Sequence, residues 1–163
     1  MKLLPIVLLL VVAPPRAGEV AIKAKRIITV SGAEIENGVI LIVEGRIKAV
    51  GKDVAIPKDA LVVEADVVMP GLVNASAWYG MSGRATEETR EVTPEMRSLD
   101  EIKEDSADFK RAVQQGITTA HVGPSDRNVI GGLGSVVKTV GGSKAARIVS
   151  EDMSLKATVG PSP

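Results

Sequence analysis

The 163-residue chain has no cysteine, one histidine (His121), and one residue each of Trp, Tyr and Phe. Without cysteine there is no disulfide, no thiolate metal site, no Cys nucleophile and no lipid-bearing cysteine near the N-terminus. One imidazole cannot assemble a His-rich zinc centre, which needs about three protein ligands and an open position for water. With so few rings and a hydrophobic fraction of 45%, the core has to be built from Val, Ile, Leu and Ala. Neither sign of charge is in excess, since twenty Lys and Arg face twenty Asp and Glu. That balance gives no electrostatic reason to expect nucleic acid or an anionic lipid surface as a partner.

Residues 1–18 have the layout of an export signal. Lys2 is a short basic segment, residues 3–13 are an apolar run of eleven, and Pro14, Pro15, Arg16, Ala17 and Gly18 break it. The run is right for a signal peptide and short for a membrane span, so an exported protein without a stable membrane anchor is expected. Cutting after Ala17 leaves Pro15 where a small residue is preferred, so the cleavage point stays open.

From Val20 the texture is β. Residues 20–30 begin with alternation and end β-branched, and residues 39–43 are apolar at every position, as in a strand covered on both faces. Glu44-Gly45 has the form of a two-residue hairpin turn, residues 46–50 alternate again, and residues 61–65 read as a further strand. Short strands at this spacing predict a small β-sandwich over residues 19–69.

A Pro70-Gly71 corner then passes the chain to a second apolar run, Leu72-Val73-Asn74-Ala75-Ser76-Ala77, beside Trp78 and Tyr79. Residues 80–97, with four Glu and three Arg, read as a solvated loop. Ser98 and Glu101 have capping-box spacing. Leu99, Ile102, Phe109, Ala112 and Val113 form an apolar stripe if a helix restarts near residue 105 or 106, and Gly116 suits its end. Residues 117–122 read as a strand, which completes one strand–helix–strand unit. Turn residues fill 123–128, residues 135–140 read as a strand, and residues 145–149 and 155–159 as short ones.

The order of these pieces resembles the N-terminal portion of the amidohydrolase superfamily of metal-dependent hydrolases, of imidazolonepropionase-like type. The residues that carry the likeness are the Val43-Glu44-Gly45-Arg46-Ile47 hairpin, the Pro70-Gly71 corner and the Gly116-Ile117-Thr118-Thr119 turn into a strand. The resemblance implies a composite β-sandwich followed by a (β/α)8 barrel, zinc as cofactor, and hydrolysis of carbon–nitrogen bonds other than peptide bonds. In that family Pro-Gly and two aliphatics lead to Asp, any residue, His, any residue, His. On that pattern Asn74 stands at the Asp, Ser76 at the first His and Trp78 at the second. The family's other metal ligands come from later strands of the barrel.

The remaining motifs add little chemistry. Gly131-Gly132-Leu133-Gly134-Ser135 lacks the Lys-Ser/Thr ending and the strand-to-helix spacing of a phosphate loop. No Ser lies in a Gly-x-Ser-x-Gly elbow, so a Ser–His pair would have to use His121. No Asp-x-Asp-x-Asp-Gly loop supports calcium.

The sequence thus predicts an α+β chain: a leader over residues 1–18, a sandwich over 19–69, and an incomplete TIM-barrel-like β/α portion over 70–163. It is expected to be a truncated amidohydrolase-like protein, inactive alone, with no catalytic or metal residues assigned and no cofactor bound. Ser76, Trp78 and His121 are its candidate pocket positions. His121, near the C-terminal end of its strand, is expected to be a hydrogen-bonded strand residue, and Trp78 a packing residue. The alternative is an exported binding module that docks, on itself or a partner chain, through an open strand edge.

Overall fold

The structure, a computed structural model, describes residues 18–82, 87 and 89–159. The expected leader lies outside the described residues except for Gly18. The chain forms two compact units, and the break in sequence falls between Pro70 and Gly71.

The first unit is one four-stranded sheet of order β3-β2-β1-β4, with β1 Val20–Ile27, β2 Ile35–Val43, β3 Arg46–Gly51 and β4 Leu61–Val68. β1 is antiparallel to β2 and parallel to β4. The expected sandwich is therefore corrected to a single layer among the described residues. The reason is that β1 pairs on both sides and draws all four strands into one ladder. The packed side is small, with Ala24, Ile27 and Ile40 at its centre and Ile22, Ile35, Ile42 and Val68 against them. Val39 and Ile40 are buried on opposite faces, whereas residues 41–43 are only half-buried, so the apolar run is covered on both faces only where it begins.

Glu44 and Gly45 make the two-residue turn, with φ of 51° and 73° and Val43 paired to Arg46. Two positive φ values define the turn type whose twist matches that of the strands, and Asn-Gly is its favoured pair. Glu44→Asn should therefore raise stability by about 0.5 kcal/mol. The gain should appear as a higher urea midpoint at unchanged slope.

The second unit is a sheet of order β5-β6-β7-β8, with β5 Leu72–Ala77, β6 Ile117–Val122, β7 Ile130–Lys138 and β8 Ile148–Ala157. β5 and β6 are parallel and are linked through α1, Ser98–Glu101, and α2, Ala107–Gln114. This is the strand–helix–strand unit read from the sequence. Beyond it the direction reverses, because β7 is antiparallel to β6 and β8 to β7. A β/α alternation does not continue past residue 122 among the described residues. Only residues 123–129 join β6 to β7, and a parallel crossover needs about a dozen.

α2 starts where Ser106 accepts a hydrogen bond from the Asp108 N–H at 3.3 Å, and Gly116 follows its end at φ 78°. Ser106→Ala should cost about 1 kcal/mol, read as a lower urea midpoint. Leu99, Ile102 and Phe109 pack against Ala77, Ala120, Val122 and Val137 on one face of the sheet, and Ala112 is buried as well. Val113, expected in that stripe, is 41% exposed. The Ser98 capping box does not form. Arg97 occupies the cap position, and the buried Ser98 hydroxyl donates to the Leu133 carbonyl at 2.8 Å.

The polar stretch before α1 is more than a solvated connection. β6 pairs with β7 only over residues 135–138. Alongside the earlier part of β7 lies a strap, residues 91–97, bridged as Val92 to Ile130 and Arg97 to Leu133. Thr93, fully buried, donates from its N–H and its hydroxyl to the Ile130 carbonyl at 2.8 and 3.2 Å. A third helix, α3 at Lys144–Arg147, is a single turn before β8.

Candidate functional site

One face of the second sheet carries the helices, and the other carries His121. Strand alternation sets this division, since Ala120 and Val122 enter the core and His121 between them points to the opposite face. On that face the structure joins His121 to a partner from another strand.

Ser76 and Trp78, two residues apart, would share a direction on a regular strand. β5 ends at Ala77, so Trp78 falls outside it, 53% exposed, which corrects its expected packing role. Asn74 pairs with Ala120 and Ala77 with Val122, leaving Ala75 and Ser76 opposite His121 as a bulge. The Asn74 side chain holds that bulge. Its amide oxygen accepts from the Ser76 N–H at 3.1 Å, and its amide nitrogen donates to the Tyr79 hydroxyl at 2.9 Å. Ser76 itself is exposed.

His121 Nε2 lies 2.7 Å from the Ser154 hydroxyl on β8. To reach it the ring crosses β7 above Gly134, where a Cβ would come within 2.6 Å of Nε2 and 2.8 Å of the Ser154 oxygen. Ser154 and Gly134 were not singled out from sequence. Gly134 did carry a signal, because glycine inside a strand marks a close approach, but the run was weighed as a phosphate loop. His121 is thus hydrogen-bonded, as expected, through a partner 33 residues away.

Next to this pair β8 is irregular. Gly134 pairs with Ser154 but Val136 with Ser150, and Asp152 has φ 45°. The Asp152 N–H donates to the fully buried Ser135 hydroxyl at 3.1 Å. The Arg97 guanidinium donates to the carboxylates of Asp152 and Glu151, each at 2.9 Å. Those bonds, that to Asp152 first and Glu151 next, hold the Arg97 guanidinium above its ordinary value. Arg97 therefore ties the strap to the kink in β8.

A transition metal requires converging lone pairs. The Asn74 amide is engaged on both atoms, Trp78 has no free lone pair, and His121 is turned to Ser154. These residues do not fit a zinc site as placed. Among the described residues no three of His, Cys, Asp or Glu converge where they could hold a metal ion. A groove of about 600 Å³ in the first unit, lined by Lys23, Lys25, Asn37, Glu64 and Asp66, contains none of the candidate residues. No described helix is long and apolar enough to cross a membrane.

No protein-family model matches the chain, and no curated protein does. Among solved structures, the fold is similar to that of an amidohydrolase from Thermotoga maritima MSB8, with a TM-score of 0.80 and 26% identity over 88% of this chain. The chain spans 40% of the length of that structure. An ochratoxinase from A. niger also matches, with a TM-score of 0.41 and 24% identity over 63% of this chain and 25% of that one.

Proposed function

We propose that this chain is an amidohydrolase-like scaffold, of the hydrolase class acting on non-peptide carbon–nitrogen bonds, that does not hydrolyse amides by a metal mechanism on its own. One observation carries the reading: a fold close to a solved amidohydrolase over 88% of the chain, with Asn74, Ser76 and Trp78 following the Pro70-Gly71 corner. A hydrolytic zinc would polarise the scissile carbonyl and lower the pKa of its bound water. The side chains at that corner do neither. Asn74 spends its hydrogen bonds on shaping the bulge and on Tyr79.

The test is direct. Purified protein is loaded with zinc, dialysed and assayed for metal content, and then for hydrolysis of N-acyl amino acids and cyclic amides with and without a chelator. Less than one zinc per chain and no chelator-sensitive turnover are expected. Stoichiometric zinc with chelator-sensitive turnover would overturn the reading.

A second reading is favoured by β5, an edge strand on which Leu72 and Val73 are 50% and 70% exposed. In it the chain docks through that edge onto another copy or a partner. Light scattering behind size exclusion should then show concentration-dependent association, and a stable monomer at high concentration would count against it. Export rests on residues 1–18 alone and would be tested by finding the mature N-terminus outside the cytoplasm.

A further inference from the structure

We propose that His121 and Ser154 form a metal-free nucleophilic site that accepts an acyl group from small, activated esters. Three adjacent strands each supply one part: the imidazole from β6, a bare backbone from β7 at Gly134, and the hydroxyl from β8. The 2.7 Å separation is what general-base activation of a hydroxyl requires.

The sequence at Gly134 reserves the space. Any side chain there would enter the gap between nitrogen and oxygen, so the pair exists only because residue 134 has none. Ser154 is also placed by a bulge rather than by regular pairing. Five residues of β8, from Ser150 to Ser154, pass three residues of β7, from Gly134 to Val136, and Asp152 takes a left-handed conformation inside that excursion. Bulges re-aim side chains, and a strained non-glycine residue survives only where its surroundings hold it. Here Arg97 and Ser135 do so. Both His121 and Ser154 are half-buried, on the sheet face opposite the helices, which leaves them within reach of a small ester.

In the tautomer protonated on Nδ1, Nε2 accepts the Ser154 proton as the hydroxyl oxygen attacks the ester carbonyl. The new C–O bond forms, the ester C–O bond breaks, and the leaving alkoxide takes the proton from Nε2. Water, deprotonated by the same nitrogen, then attacks the acyl-serine, releases the acid and returns the proton to Ser154. No oxidant, metal or further reactant enters. The site is independent of the amidohydrolase reading.

The probe is p-nitrophenyl acetate, used with the full chain in the presence of a chelator. The expected result is an acetyl group on the peptide containing Ser154, with an acylation rate about 100-fold above that of free imidazole. That excess should vanish in Ser154→Ala, in His121→Gln, and in Gly134→Ala, where a methyl wedge parts the pair. Circular dichroism establishes that each variant is folded. Should a variant fail to fold, the site of acetylation in the unaltered chain still decides. Acetyl found only on His121 or on lysines, a rate no greater than that of imidazole, or full activity in folded Ser154→Ala would each overturn the proposal.

Discussion

Phe109→Ala is expected to lower the stability of the second unit by about 3–5 kcal/mol. Phe109 is the only Phe of the chain and is 2% exposed. It is the largest side chain wholly enclosed in this core, where Leu99, Ile102, Ala120, Val122 and Val137 are the other main members. The ring also meets Tyr79 edge-on, with centroids 6.2 Å apart at 66°, and carries the Arg147 guanidinium 4.4 Å above its centroid. Truncation would remove the ring and leave both partners facing a void. The small residues in the same cluster, Ala77 and Ala120, cannot extend to fill the space. A total stability of about 5–15 kcal/mol would be cut by a large fraction. Phe109→Leu, which keeps most of the apolar volume, should cost less. Urea unfolding followed by far-UV circular dichroism measures both, and a loss under about 1 kcal/mol for the alanine variant would mean that the pocket collapses instead.

The second large effect is expected at Gly71. A Cβ there would lie 2.7 Å from Thr118 Cβ and would also run into Thr118 Oγ1 and Cγ2. A glycine at such a corner is commonly needed for its backbone freedom. The φ of Gly71 is not in the left-handed region, so the constraint is room where β5 meets β6. Gly71→Ala should therefore cost about 2–3 kcal/mol, since the clash is with a backbone-attached carbon that no rotation moves away. The double variant Gly71→Ala/Thr118→Ala should recover only part of the loss, because two of the three clashing atoms go and the third stays. Full recovery would show that the threonine's outer atoms alone set the constraint, and no loss in the single variant would show that the strands simply spread.

What the sequence revealed follows the range of the physics involved. The Glu44-Gly45 turn, the Ser106 start of α2 and the Gly116 end are decided by neighbouring residues, and all three could be read directly. The β5–helix–β6 unit was legible because Leu99, Ile102, Phe109 and Ala112 repeat at helical spacing. The β/α pattern expected past residue 122 does not continue, because β7 begins at Ile130, five residues before the strand read over 135–140, and leaves only seven residues after Val122, too few for a crossover helix. The expectation of a barrel came from the resemblance alone.

The candidate site was legible only in its lone imidazole. Ser154 becomes its partner through strand registers that carry no local signature, with 33 residues between the two. Ser76 and Trp78 were placed by the family pattern, which takes a regular strand, and the bulge after Asn74 breaks that regularity. The Glu- and Arg-rich strap looked like a solvated loop because its pairing runs through backbone groups and one buried threonine, to which composition is blind.

That strap alters how β7 meets water. The Ile130 and Leu133 amides donate to the Glu91 and Met96 carbonyls at 3.0 and 2.7 Å, on the stretch of the strand that β6 does not reach. In deuterium oxide these two protons should persist beside those of the sheet interior. Their release would clock the lifting of residues 91–97, because the strand beneath need not open for them to leave.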